Sequence, residues 1–399
     1  MKFIGIIAFV IALLLSVMVH EFGHFIMAKR FGMKVSEFFL GFGKKLWSTQ
    51  RGETEFGVKA IPAGGYCRIE GMTPTDEMGE GEEKRAFYRA SGARKLIVLG
   101  AGSFLHFVLG FVLLLILFMG IGTTQVTSTI AQVSECIPPA TGSQECTSTS
   151  APSPAKVAGL HAGEKIISIN GVPIDQWSSA VEIIRASAGK VLTLGVQRAG
   201  AVGDFDVLIT PQARIVDGKT IGFIGIMNSF ANVRSNPIDS ISQSISTTKT
   251  FMGASVTSLI ALPSKIPALF SQSIGGTPRD PEGLVGVVGV ARVSGQALGS
   301  TSMSLSERLA TFITIIASLN IFVGIFNLLP ILPLDGGHMA VAIADEVRAF
   351  FARIRGRARP AAIDVSVLTP VTLVVFLLLA GLTLVLLVAD IFNPVNLNL

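Results

Sequence analysis

The sequence predicts a polytopic α-helical membrane protein: four transmembrane helices, a membrane-associated β-loop on the cytoplasmic side and one folded module on the other. Three observations carry this. Half of the 399 residues are hydrophobic and only 15% are charged, which fits neither an ordinary soluble enzyme nor a disordered chain. Several apolar runs are long enough to span a bilayer. The basic residues are unevenly placed: thirteen Lys and Arg lie between Lys29 and Lys95, five between Arg348 and Arg359, and twelve are spread over 122–304. Dense basic loops face the cytoplasm, so 29–95 and 345–366 are inside, while 122–304 and both termini are outside. A net charge of +5 distributed this way marks membrane orientation and gives no reason to expect nucleic acid as a partner; the lipid bilayer is the surrounding.

The first transmembrane helix, 1–28, begins with seventeen uncharged residues, Phe3 to Val19. It lacks a small-residue cleavage site and reads as a retained anchor. Ionisable residues inside such a run are costly and usually functional. Here His20-Glu21-Phe22-Gly23-His24 supplies three. On a helix His20 and His24 share one face a turn apart, with Glu21 beside them, the arrangement that binds zinc and aims a carboxylate at water. Counted back from Lys29, the motif lies roughly 13 Å or less from the cytoplasmic end.

In the cytoplasmic loop 29–95, Val35–Leu46, Glu53–Ile61 and Ala63–Ile69 mix aromatic, β-branched and glycine residues as strands and tight turns do. A small sheet against the membrane is expected, with the polar stretch Thr73–Arg85 as its tip. The second helix, 96–121, carries His106 as its only titratable group. Region 122–154 reads as an extracytoplasmic linker in which Cys136 and Cys146 form a disulfide, whereas Cys67 stays reduced.

Residues 155–214 read as a separate module. The stretch Gly159-Leu160-His161-Ala162-Gly163-Glu164-Lys165-Ile166 through Ile169-Asn170-Gly171 resembles the PDZ domains of bacterial proteases, with Glu164 where Asp is usual. That resemblance implies a groove-lining helix over Trp177–Ala186, later strands over Val191–Arg198 and Phe205–Thr210, and a groove that takes an extended peptide, such as a trimmed substrate end, by strand addition. Region 215–304 reads as an extracytoplasmic amphipathic helix near the outer surface, on Ile238, Ile241, Ile245, Val256, Leu259 and Ile260.

The third transmembrane segment, 305–344, contains Asn327-Leu328-Leu329-Pro330-Ile331-Leu332-Pro333-Leu334-Asp335-Gly336-Gly337-His338. Two prolines and two glycines break the helix, and broken backbone at membrane depth needs a cavity or protein cover. Catalytic zinc takes three protein ligands, so two histidines leave one to find. Asp335 is the natural supplier and His106 the alternative. A basic cytoplasmic loop, 345–366, and a fourth helix, 367–391, complete the chain.

The pairing of an intramembrane HExxH with N-x-x-P and L-D-G-G in a later span, together with a PDZ-like module and Phe56–Tyr66, resembles the site-2 protease family of intramembrane zinc metalloproteases, in its bacterial RseP and Rip form. The resemblance implies zinc held by His20, His24 and Asp335, with Glu21 as catalytic base. It further implies cleavage, in a bacterial inner membrane, of single-span proteins such as anti-sigma factors after a first extracytoplasmic cut. Substrate unwinding would use Asn327 and Asn320 and the strand edge at Gly64 and Gly65. Two departures stand out: Gly102-Ser103-Phe104-Leu105-His106 replaces the family's G-P-x-x-N, and Pro333 falls one position late. A metal transporter or an inactive scaffold of the same architecture is the alternative. The transporter reading leaves Glu21 without a purpose, and the scaffold reading leaves the intact ligand set without one.

Overall fold

The computed structural model describes residues 2–79, 81–137, 146, 150–174, 177–198, 203–216, 218–274, 279 and 283–395. The chain divides into two units, one formed by Met1–Gly122 with Arg234–Leu399 and the other by Thr123–Val233.

Helix α1 (Lys2–Arg30) runs unbroken through the HExxH motif, and Lys29 and Arg30 sit in its last turn, where cations suit the helix dipole. Strands β1 (Val35–Arg51) and β2 (Thr54–Ile69) follow as an antiparallel hairpin turning at Gly52, which takes φ +62°. The strands bend back, so that residues 37–40 lie between 65–68 and 55–58, and 55–58 also pairs with 47–50. The sheet expected in 29–95 is therefore present, built from longer strands than the three segments proposed. Its tip leaves Leu46, Trp47 and Ile61 exposed. The segment expected as a free tip is tied back: Arg85 donates two bonds of 2.6 Å to Glu53, and Lys34 pairs with Glu82. Helix α2 (Gly92–Leu115) continues as a π-helical turn over Ile116–Ile121.

The second unit is built on the strand order β10-β3-β4-β6-β7. Its elements are β3 (Thr123–Val133), the short α3 (Pro154–Val157), β4 (Lys165–Ile169), β5 (Val172–Pro173), α4 (Trp177–Ala186), β6 (Leu192–Gln197), β7 (Asp204–Ile209), the β8 (Gln212–Val216) and β9 (Lys219–Phe223) hairpin, and β10 (Ile226–Val233). Asn170 and Gly171, both at positive φ, make the two-residue turn between β4 and β5. Ile130, Ile166, Ile169, Leu194, Val196 and Ile184 form one buried core. Region 122–154 is thus not a plain linker: β3 belongs to the sheet, and the compact unit extends beyond the expected 155–214 at both ends. Cys136 and Cys146 are joined in a disulfide.

The first unit resumes with α5 (Pro237–Ile274), α6 (Val287–Gly299), α7 (Leu305–Asn327), α8 (Asp335–Ile354) and α9 (Thr369–Phe392). Among the described residues five helices are long and apolar enough to cross a membrane, one more than expected. The addition is Pro237–Ser273, inside the stretch read as a surface-lying amphipathic region; α5 packs against α2, α7 and α9, and α6 packs against α1. The contact between α1 and α6 is backbone-close, since a Cβ on Gly5 would stand 2.8 Å from Gly295 Cα. The expected third segment, 305–344, is a helix, a bend and a second helix. Helix α7 starts at a capping box, in which Ser304 Oγ accepts from the Glu307 amide and the Glu307 carboxylate accepts from the Ser304 amide at 2.8 Å. The basic loop 345–366 is partly helical, because α8 continues to Ile354.

Candidate metal centre

Helix geometry alone brings His20 and His24 onto one face of α1. Their Nε2 atoms lie 3.0 Å apart, and both residues are buried. The third donor arrives from α8. The bend after α7 returns the chain so that Asp335 opens the first turn of α8, where a carboxylate suits the helix N-terminus. The bend is too tight for side chains at the next two positions. A Cβ on Gly336 would stand 2.3 Å from the carbonyl oxygens of Leu328 and Leu329, and one on Gly337 would stand 2.5 Å from the Leu332 nitrogen. Asp335 Oδ2 then lies 3.1 Å from His20 Nε2 and 3.3 Å from His24 Nε2.

These distances can be tested against a metal. Donors bound to zinc at about 2.05 Å in a tetrahedron sit roughly 3.3 Å from one another. The three observed edges match that spacing. The protonation pattern points the same way. His24 Nδ1 faces the Val98 carbonyl at 2.8 Å, and a carbonyl only accepts, so Nδ1 carries a proton and Nε2 is the nitrogen that a metal would use. Asp335 Oδ2 is buried without a hydrogen bond. A carboxylate oxygen and a neutral imidazole nitrogen 3.3 Å apart need a proton or a metal ion between their lone pairs, and the three-donor spacing suits the metal. Among the described residues these three are the group able to hold a metal ion.

Glu21 is half-buried on α1, with its carboxylate in reach of the Cys67 backbone amide of β2. A Cβ on Gly65 would stand 2.9 Å from Met18 Sδ and 3.5 Å from Glu21 Cγ, so the β2 backbone passes directly over the face that bears Glu21. Residues 65–68 pair with 37–40 on one side, and no strand pairs with their other edge among the described residues. Gly64, at φ +146°, precedes that edge. Burial, and then the charge of Glu21, push the Cys67 thiol up to about 12.

Asn327 ends α7, half-buried, its amide making no hydrogen bond among the described residues. Asn320 does not stand ready for a substrate. It is 1% exposed, its Nδ2 donates to the Ile316 carbonyl at 2.8 Å, and its Oδ1 accepts from His106 Nδ1 at 2.8 Å. His106 in turn lies with its ring centre 5.0 Å from that of His20, backing the site instead of joining the three donors.

The sequence reading missed the glycines that let α1 and α2 meet. A Cβ on Gly102 would stand 2.6 Å from both His20 Cε1 and His24 Nε2, and one on Gly23 would stand 2.5 Å from the Ala101 carbonyl oxygen. Gly23 lies inside the HExxH motif at a position the motif leaves open, and Gly102 opens the departing G-S-F-L-H stretch; only their pairing on facing helices gives them meaning.

Comparison with known proteins agrees with this chemistry. Residues 8–373 match peptidase family M50. The zinc metalloprotease Rip1 of Mycobacterium tuberculosis is 33% identical over 405 residues, covering 98% of each chain, and its counterpart in Mycolicibacterium smegmatis is 33% identical over 407 residues with the same coverage. The regulator of sigma-E protease RseP of Salmonella typhimurium is 25% identical over 434 residues, covering 86% of this chain and 90% of that one. A match over most of the chain, relatives at 33% identity end to end, and a donor set spaced for zinc make this protein a polytopic membrane zinc metalloprotease belonging to peptidase family M50.

Proposed function

We propose that the chain is an intramembrane endopeptidase of a bacterial inner membrane, with His20, His24 and Asp335 as zinc ligands and Glu21 as catalytic base. The observation that carries this is the meeting of three buried donors at 3.0 to 3.3 Å beside a fourth ionisable group, on a helix built to span a bilayer. Zinc bound there supplies Lewis acidity to the scissile carbonyl and lowers the pKa of water. Glu21 takes the proton of the attacking water and passes it to the departing amine nitrogen. The Cys67 amide and the Gly65 backbone hold its carboxylate on the ligand side of α1.

The substrate is a single-span membrane protein, an anti-sigma factor being the representative case, already trimmed on the extracytoplasmic side. A helical substrate hides its carbonyls in its own hydrogen bonds and has to be opened to an extended form. The unpaired edge of 65–68 beside Glu21 supports strand addition there, and the free Asn327 amide is suited to hold an opened backbone. The exposed Leu46, Trp47 and Ile61 support contact of the hairpin tip with lipid. The unit Thr123–Val233 acts as a PDZ module outside the cytoplasm, binding the trimmed end of the substrate.

Glu21→Gln preserves shape and removes the proton acceptor. The purified variant is expected to keep one zinc per chain while losing cleavage of a labelled single-span substrate. Turnover above a few per cent of wild type would remove Glu21 from the role of base.

A further inference from the structure

A cavity of about 420 Å³ opens where α2 begins, lined by Tyr88, Arg89, Ser91, Lys95, Asp345 and Arg359 among others. Three of these side chains are cations and one is an anion, and the cations differ in how well they are already matched. Arg359 donates to Glu346 at 2.6 Å, and Arg89 donates to Glu83 at 2.9 Å; both remain about half exposed. Lys95 is only 9% exposed, and its ammonium makes no hydrogen bond and no ion pair among the described residues, its near neighbour being the Phe87 ring at 5.8 Å. Asp345 lines the same cavity without pairing with it, and its Oδ1 already accepts from the Ile363 amide at 2.8 Å and from Arg348 at 3.3 Å. A buried ammonium without an acceptor is costly, and the two carboxylates nearest to it, Asp345 and Glu346, are engaged by other groups, so Lys95 lacks a direct anionic partner.

Position narrows the class of that anion. The apolar run of α2 starts at Leu96, directly after Arg94 and Lys95, so the cavity lies at the boundary between bilayer and water. Ser91 does not cap the helix through its side chain, and the Glu346 carboxylate accepts from the Gly92 amide at 3.0 Å instead, so the helix N-terminus is already matched and Lys95 is the cation left without a partner. Basic pockets beside membrane helices suit phosphoryl headgroups, and the volume is in the range of small-ligand sites. We propose that this cavity binds a phosphoryl group, supplied by an anionic phospholipid or by free phosphate, with Lys95 as its principal partner and Arg89 and Arg359 at its rim. Lys95 and Asp345 also line an adjoining cavity of about 30 Å³ that reaches His338, so an occupant would clasp α2 to α8, the helix that begins with Asp335.

The full-length protein, delipidated in neutral detergent, is to be offered phosphatidylglycerol, phosphatidylcholine or sodium phosphate, with bound lipid read by native mass spectrometry and stabilisation by thermal unfolding. The expected result is one retained phosphatidylglycerol per chain in preference to phosphatidylcholine, reduced about tenfold by Lys95→Met, the effect of one charged hydrogen bond. Asp345→Asn, which keeps an acceptor for the Ile363 amide and removes a like charge, is expected to tighten retention. Stabilisation by millimolar phosphate that depends on Lys95, without lipid preference, would identify the soluble source of the same group. If wild type and Lys95→Met respond alike to all three, the proposal is overturned. Should Lys95→Met fail to fold, Asp345→Asn decides alone: unchanged or weaker retention overturns it.

Discussion

At the residue scale, the site rests on glycines as much as on ligands. Alanine normally improves a helix interior by about 1 kcal/mol over glycine. At Gly102 that gain is opposed by a methyl group 2.6 Å from His24 Nε2, a donor atom that cannot move without leaving Asp335. Gly102→Ala is therefore expected to lower zinc content and activity together while leaving far-ultraviolet circular dichroism unchanged; full zinc occupancy would show that the helices yield instead. Asp335→Ala should also lose zinc and activity. His106→Asn, by contrast, should keep most of both, because His106 is matched by Asn320 and stands outside the donor set. Zinc stoichiometry on the two purified variants separates them. The thiol of Cys67, pushed up to about 12, should resist iodoacetamide at pH 8, where an ordinary cysteine near 8.5 is substantially thiolate. The three residues proposed as ligands are legible in the sequence because the i, i+4 rule points at His20 and His24 and the cost of intramembrane charge points at Asp335. The engagement of Asn320 by His106 was not legible, because that partner lies 214 residues away in the chain.

At the element scale, the hairpin β1–β2 depends on a charged clasp at its turn. The two Arg85 bonds hold the Glu53 carboxyl well below the usual range, at about 2, with Lys29 adding to the effect. A carboxyl depressed in the folded state stabilises above its unfolded value near 4.3 and loses that contribution as pH falls through its folded value. The turn should therefore hold down to pH about 4 and loosen between about 4 and about 2. In Arg85→Ala, where the depression is relieved, its stability should be lower and flatter with pH over the same range. Trp47 lies on β1 and reports this by fluorescence in a Trp177→Phe background; identical profiles for the two proteins would dismiss the clasp. The effect is modest, since both partners keep contact with water. Sequence patterning located this sheet but did not single out α5 as a candidate span. Pro263, Pro267 and many Ser and Thr residues dilute the apolar run, and Ser240, Ser244 and Ser255 are nonetheless buried, so a helix that packs among apolar neighbours reads as a surface element.

At the scale of the whole molecule, the chain interrupts one unit to insert another, and the sequence hid the seam. Strand β3 is rich in Thr, Ser and Gln, and β10 carries two Asn, so both resemble connecting segments until their pairing is seen. That pairing fixes how to test the inserted unit. Removing only the stretch read as a module, 155–214, would cut out β4, β6 and β7 and leave β3 and β10 without a core. The natural cuts lie at Thr123 and Val233, which face each other in register, so the ends of the insertion are adjacent. In the surrounding unit, the Ser235 amide donates to the Phe118 carbonyl at 2.9 Å, so its own two ends are also within a short turn of each other. Replacing 123–233 with a few glycines should then require little rearrangement, because closing a short loop between adjacent ends costs little. The three donor residues all lie in the part retained. The expected outcome is a protein with full zinc content that cleaves a pre-trimmed single-span substrate at a rate near wild type. It should also accept the untrimmed form, which the complete chain is expected to reject. Cleavage of neither substrate by a variant that still holds zinc would make the inserted unit a contributor to catalysis, and continued rejection of the untrimmed form would remove it from the role of gate.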